Sequence, residues 1–139
     1  MTLNQISVFL ENRTGELSAI TRLLSENGVD LRALNIAETS DYGIIRFISN
    51  DQRKAAAILS AEDYVLSVTP VSAVAVPDRP GGLSGLLTLM ADAGLNVGYM
   101  YSVFSESAGK AIMIMRVEDP GKLDALLASH PEYRMDEFC

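Results

Sequence analysis

Two short stretches of the chain carry the residue types needed to hold a zwitterion. They are Asn12-Arg13-Thr14-Gly15-Glu16-Leu17 and Asp78-Arg79-Pro80-Gly81-Gly82-Leu83, which match position by position. Each stretch precedes an apolar run of helical spacing, so each delivers the backbone onto a helix N-terminus. The free amides and positive dipole end of a helix suit a carboxylate, and glycine lets a ligand approach the main chain. An ammonium group wants oxygen acceptors; Asn12, Asp30, Asp78 and Asn96 are expected beside the turns to supply them. The same residues have a plain structural use, because Asn and Asp cap helices while Pro and Gly serve turn geometry. Arg13 and Arg79 recur in register and offer a guanidinium to a ligand carboxylate or to an acidic neighbour, with the neighbour favoured for each.

Other chemistry finds less support. His130 is the sole histidine and stands beside Pro131, where a solvated loop residue is expected, and a histidine-based triad has no other choice. Glu11, Glu16 and Asp30 form the only acidic set worth considering as a general base, without a nucleophile to accompany it. No Walker loop, dinucleotide fingerprint or zinc spacing occurs. Cys139 is the single cysteine, so neither an internal disulfide nor a thiolate metal cage is expected. No catalytic residue, metal or cofactor is assigned, and the chain is not expected to be an enzyme. A net charge of -7 disfavours nucleic acid and anionic membranes as partners. Residues Met1 to Arg13 lack a basic leader with an apolar core, and Ala111 to Met115 is too short to span a bilayer, so a cytoplasmic location is expected.

The elements that must position the turns are read from an internal repeat. With one spacing, Val8 falls on Val74, Gly15 on Gly81, Leu23 on Leu89, Gly28 on Gly94 and Asp30 on Asn96. Beyond the hairpin the spacing widens by two residues, and Asp51 falls on Asp119, Lys54 on Lys122 and Leu59 on Leu127. Ile6, Val8 and Leu10 alternate as in a strand; Leu17, Ile20, Leu23 and Leu24 follow helical spacing, and Gly28 ends the helix. Leu31 to Ile36 and Tyr42 to Ser49 make a hairpin around Thr39-Ser40-Asp41; Asp51 caps a second helix, and Tyr64 to Val68 closes the repeat. The second copy places helices at Gly81 to Ala93 and near Gly121 to Ser129, a hairpin through Ser105 to Gly109, and a closing strand at Tyr133 to Phe138.

This order predicts an α+β protein of two tandem ferredoxin-like βαββαβ domains, residues 1–70 and 71–139, each an antiparallel sheet with both helices on one face. Ile112, Met113, Ile114 and Met115 are apolar at every position, as are most of Ile44 to Ile48, so these strands require cover on both faces. Packing of the copies on each other or on a second chain, as in a homodimer, would supply it. Tyr99 and Tyr101 could line an apolar pocket, though packing is their ordinary role.

The turn and the run Gly94-Leu95-Asn96-Val97 together resemble the signature of the ACT domain, an Asx-Arg-Pro-Gly-x-Leu turn followed by Gly-aliphatic-Asn-aliphatic. The first copy matches through Asn12 to Leu17 and Gly28-Val29-Asp30-Leu31, and the two matches cover nearly the whole chain. Thr14 replaces the family's proline and Asp30 its asparagine. The resemblance implies a regulatory module of amino-acid metabolism whose effector, an amino acid, binds at a domain interface near this turn. Asn12, Arg13, Thr14, Gly15, Glu16, Leu17 and Asp30 would then contact it in one copy, and Asp78, Arg79, Pro80, Gly81, Gly82, Leu83 and Asn96 in the other. A partner enzyme regulated through docking, without ligand, is the alternative it leaves open.

Overall fold

The structure is a computed structural model that describes residues 1–11, 13–38, 41–104 and 109–138. The elements in chain order are β1 (Thr2–Glu11), α1 (Glu16–Glu26), β2 (Leu31–Glu38), β3 (Tyr42–Ser49), α2 (Gln52–Ala61), β4 (Val65–Pro77), α3 (Gly82–Asp92), β5 (Val97–Ser102), β6 (Lys110–Val117) and α4 (Pro120–Leu127). They form two compact units. The N-terminal unit is Asn4–Thr69; the C-terminal unit is Pro70–Cys139 together with Met1–Leu3.

In the N-terminal unit the strand order is β2-β3-β1-β4. The β1–β3 and β2–β3 pairings are antiparallel, with Ile6 opposite Phe47, Leu10 opposite Gly43, and Ile36 opposite Ile45. Ile6, Val8 and Leu10 share one face of β1 because side chains alternate along a strand. They form one buried cluster with Ile20 and Leu24 of α1, Ile45 and Phe47 of β3, and Ala55 and Leu59 of α2. Both helices therefore lie on the same sheet face, as the ferredoxin-like order requires. The C-terminal unit repeats this with β4-β6-β5. Val74, Val76, Leu86, Met90, Met115, Leu123 and Leu127 bury in its cluster at the corresponding positions.

Local signals explain the helices. Asp51 Oδ1 accepts a 3.0 Å bond from the Lys54 amide, and Asp119 Oδ1 accepts one of 3.1 Å from that of Lys122, so the repeated aspartates cap α2 and α4. Gly28 and Gly94 follow α1 and α3 with φ of 73° and 74°, the left-handed ending expected of them. Phe47 and Ile48 are adjacent and fully buried, as are Ile114 and Met115, so β3 and β6 are covered on both faces there.

The C-terminal unit departs from expectation at its end. Tyr133 to Phe138 form no strand. The free edge of β4 is shared instead: the Ala73 amide donates to the Met1 carbonyl at 2.8 Å, and the Ala75 amide to the Tyr133 carbonyl at 3.0 Å. With Met1–Leu3 taking part of that edge, little of the ladder is left for residues 133–138 to extend. The Met1 ammonium also meets Asp124 Oδ1 of α4 at 2.9 Å, and Thr2 Oγ1 donates to Asp124 Oδ2 at 2.8 Å. A second departure is the length of β4, which runs unbroken from the closing strand of the first repeat into the first strand of the second. Pro70 interrupts its hydrogen bonding only at an exposed position.

Burial alone would raise the Asp124 carboxyl, but the hydrogen bonds from the Met1 ammonium and Thr2 outweigh it, and the group titrates below its ordinary value of 3.8. A depressed folded value means that the stabilisation is complete above the unfolded value and is lost as pH falls through the folded one. Urea titrations are expected to show Asp124→Asn less stable than the parent at about pH 6, with the difference shrinking as pH falls below the ordinary value of 3.8. Gly82 supplies a second prediction, since a Cβ there would lie 1.9 Å from the Pro77 carbonyl oxygen. Gly82→Ala should lower the unfolding free energy by about 1–3 kcal/mol, as overpacking against backbone does; an unchanged denaturation midpoint would contradict that close approach.

Candidate functional site

The site begins where β1 hands the chain to α1. Gly15 is the residue before the helix, with φ 92°, and Gly81 occupies the same place before α3 with φ 86°. This left-handed conformation is open to glycine without the strain a side chain would add. A Cβ at either glycine would meet nothing within 4 Å, so the backbone angle, and not crowding, selects glycine. Neither helix receives a side-chain cap. The Glu16 and Gly82 amides donate to the Arg13 and Arg79 carbonyls at 3.3 and 3.0 Å, and the next amides of each first turn meet no side-chain acceptor among the described residues. No side-chain cap bond from Asp78 to α3 is present among the described residues, and its backbone amide donates to the Gly109 carbonyl at 2.9 Å. Asn12 lies outside the described residues.

Around the first turn the side chains converge. Arg13 Nε lies 2.8 Å from Glu11 Oε2, and Arg13 Nη2 lies 2.9 Å from Glu16 Oε1. The guanidinium is thus held between two carboxylates, one at the end of β1 and one in the first turn of α1. Beside this triplet is a hollow of about 130 Å³ lined by Leu10, Leu17, Ile36, Gly43 and Ile45, with Glu11, Arg13 and Glu16 also on its wall. Ile36 is 50% exposed and Leu17 37%, whereas their neighbours Leu10 and Ile45 are buried. A zwitterion could place its carboxylate on the uncapped amides and Arg13, its ammonium on Glu11 or Glu16, and an apolar group against the hollow.

The second turn is built alike and charged differently. Pro77 and Gly82 stand where the first copy has Glu11 and Glu16. Asp78, Arg79, Pro80 and Gly81 are exposed, Leu83 is half-buried, and Arg79 makes no ion pair among the described residues.

Asp30 and Asn96 do not join their own turns. Gly15 precedes α1 and Asp30 follows it; a helix of 11 residues separates them by about 16 Å at 1.5 Å per residue. Asp30 instead pairs with Arg32 at 3.0 Å and borders an open cleft with Ser18, Thr21 and Ser25. Asn96 lies beyond α3 in a hollow with Gly98, Tyr99, Arg116 and Glu118. The acidic set Glu11, Glu16 and Asp30 therefore never converges, because the first two share Arg13 at the opposite end of α1 from the third. His130 Nδ1 sits 3.2 Å from Glu132 in the turn after α4. Tyr101 is buried, and Tyr99 stacks on it with ring centroids 6.5 Å apart. Among the described residues no three His, Cys, Asp or Glu side chains gather as a metal site. No described helix is long and apolar enough to cross a membrane.

The expected site residues did not include Leu10, Glu11, Ile36, Gly43 and Ile45. Glu11 carries a signal, lying two residues before Arg13 at a strand end; Ile36 and Gly43 come into view only once the hairpin register is known.

The sequence pattern of the family described as an ACT domain pair matches residues 1–134. The solved structure of protein BT0572 from Bacteroides thetaiotaomicron is 32% identical, covers 94% of this chain and 90% of its own, and superposes with a TM-score of 0.87. The regulatory subunit of aspartate kinase from Thermus thermophilus, in a ligand-free form, is 15% identical, with 95% and 97% of the two chains covered and a TM-score of 0.70. The corresponding subunit from Thermus flavus is 14% identical over 95% of each chain, with a TM-score of 0.65. No protein among those of curated function matches. With its turns, its repeat and its fold all in agreement with a match that spans residues 1–134, the chain belongs to the ACT domain pair family.

Proposed function

We propose that this chain is a cytoplasmic regulatory sensor, not an enzyme, in which an amino acid binds at the strand-to-helix turns of the two ACT repeats, residues 1–70 and 71–139. The observation that carries the reading is the Glu11–Arg13–Glu16 triplet set over an uncapped helix N-terminus and an apolar hollow. It offers complements to all three parts of an amino acid: carboxylate, ammonium and side chain. At the second turn no carboxylate among the described residues competes for Arg79, which suits an anionic group. Asp30 and Asn96, at the far ends of α1 and α3, contribute to a turn other than their own, supplied by another repeat or by a second copy as in a homodimer. The fold shared with regulatory subunits of aspartate kinase supports a role in which ligand occupancy alters affinity for a partner enzyme. Coupling of about 1–3 kcal/mol is enough for that.

Thermal and chemical denaturation across the twenty amino acids tests the proposal. A ligand present at 100 times its dissociation constant should add about 2.7 kcal/mol of stability, and Arg13→Ala should weaken it about tenfold or more, the loss of one charge-assisted hydrogen bond. Folded protein that responds to none of the amino acids at millimolar concentration would overturn the sensing role.

A further inference from the structure

Resting on that reading, we infer that the hollow of the N-terminal unit selects the ligand's side chain and takes an aliphatic or thioether group of about four non-hydrogen atoms, as in leucine, isoleucine or methionine. Volume is the first argument. A hollow of about 130 Å³ is less than half the roughly 300 Å³ at which pockets begin to enclose a whole small molecule. At ~30 Å³ per water-sized group it holds about four of them. That is a side chain, with the backbone of the amino acid left beside Glu11, Arg13 and Glu16, which line part of the same hollow.

Chemistry is the second. Leu10, Leu17, Ile36 and Ile45 offer no polar partner to a hydroxyl, amide or charge entering among them, so polar side chains would lose their hydration without replacement. Leu17 of α1 and Ile36 of β2 keep large exposed surfaces, whereas Ile6, Val8 and Leu10 of β1 and Ile45 of β3 on the helix-bearing side of the sheet are buried. A ligand methyl group placed there removes apolar area from water on both partners. Each methylene is worth about a fourfold gain in affinity, so leucine should bind roughly fifty-fold more tightly than alanine.

The second repeat shows what the hollow requires. Strand register equates Ile36 opposite Ile45 with Ser102 opposite Met113, and Leu10 opposite Gly43 with Val76 opposite Ala111. At those places the second repeat has a hydroxyl for a branched aliphatic, a methyl for a hydrogen, and neither carboxylate of the rim. Side-chain selection is accordingly assigned to the first repeat alone.

Gly43 makes the test specific. Its Cβ would meet only the Ala37 carbonyl oxygen, at an ordinary 3.7 Å, and would lie on the same strand face as Ile45. Gly43→Ala should therefore fold normally while removing about one of the four available groups. Calorimetry on the full chain with all twenty amino acids is expected to rank leucine, isoleucine or methionine first. Gly43→Ala should weaken these at least tenfold and move the preference toward valine; Ile36→Ser, copying the second repeat, should weaken them in the same way if Gly43→Ala misfolds. A charged, aromatic or glycine ligand in first place, or leucine affinity unchanged in folded Gly43→Ala, overturns the assignment while leaving amino-acid sensing intact. Absence of binding by every amino acid overturns both.

Discussion

Everything about the site depends on one backbone constraint, a left-handed residue between the first strand and the first helix of each repeat. An ordinary L-residue in that conformation is strained by roughly 1–2 kcal/mol, and glycine removes the strain at Gly15 and Gly81. The turn this allows is abrupt. It brings the first turn of the helix back beside the end of the strand, so that Glu16 and Glu11 can reach the same guanidinium. It also uses glycine as the residue before the helix, which has no side chain to cap the amides. A Ser or Asp in that position would satisfy one of them and remove the feature that suits the turn to an anion.

The two repeats preserve this backbone and vary its chemistry. Most of their core positions correspond, Ser72 standing where the first repeat has Ile6, and one exchange is compensated within the pair: Phe47 and Ala55 in the N-terminal cluster stand where Met115 and Leu123 stand in the C-terminal one. A large and a small side chain give way to two of middle size, the kind of exchange a packed interior tolerates when total volume is kept. The rim is under no such constraint, because exposed side chains touch few neighbours. Glu11 and Glu16 give way to Pro77 and Gly82 without disturbing the helix start, and Gly82 then permits an approach to the Pro77 carbonyl that no side chain would.

How much of this was legible in the sequence follows from how local each determinant is. The helices, their aspartate caps, their glycine endings and the repeat itself are set within a few residues, and all of them could be read from spacing. The closing strand at Tyr133 to Phe138 could not be judged that way, because its absence is decided by competition for the edge of β4 with Met1–Leu3, more than a hundred residues away in the chain. The placement of Asp30 and Asn96 beside their own turns failed for a related reason: they adjoin the helix in sequence, but α1 and α3 carry them to its other end. Ile36 and Gly43 entered the site through the pairing register of β2 and β3, which residue composition does not fix.

The divergence of the two turns bears on how a pair of such repeats works. If both held the same ligand with the same contacts, the residues around Arg79 would be expected to resemble those around Arg13, and they do not. Arg13 is already neutralised by two carboxylates, so a ligand there gains from matching charge on both of its ends and from the hollow beside them. Arg79 has no such partners among the described residues, and favours negative charge in proportion to how little else is near it. The hollow is walled by β1, α1, β2 and β3 together, so an occupant would tie the start of α1 to the β2–β3 hairpin. Ligand contact with several elements at once is what lets occupancy favour one arrangement of a unit over another, since a molecule touching a single element has no differential hold on the rest.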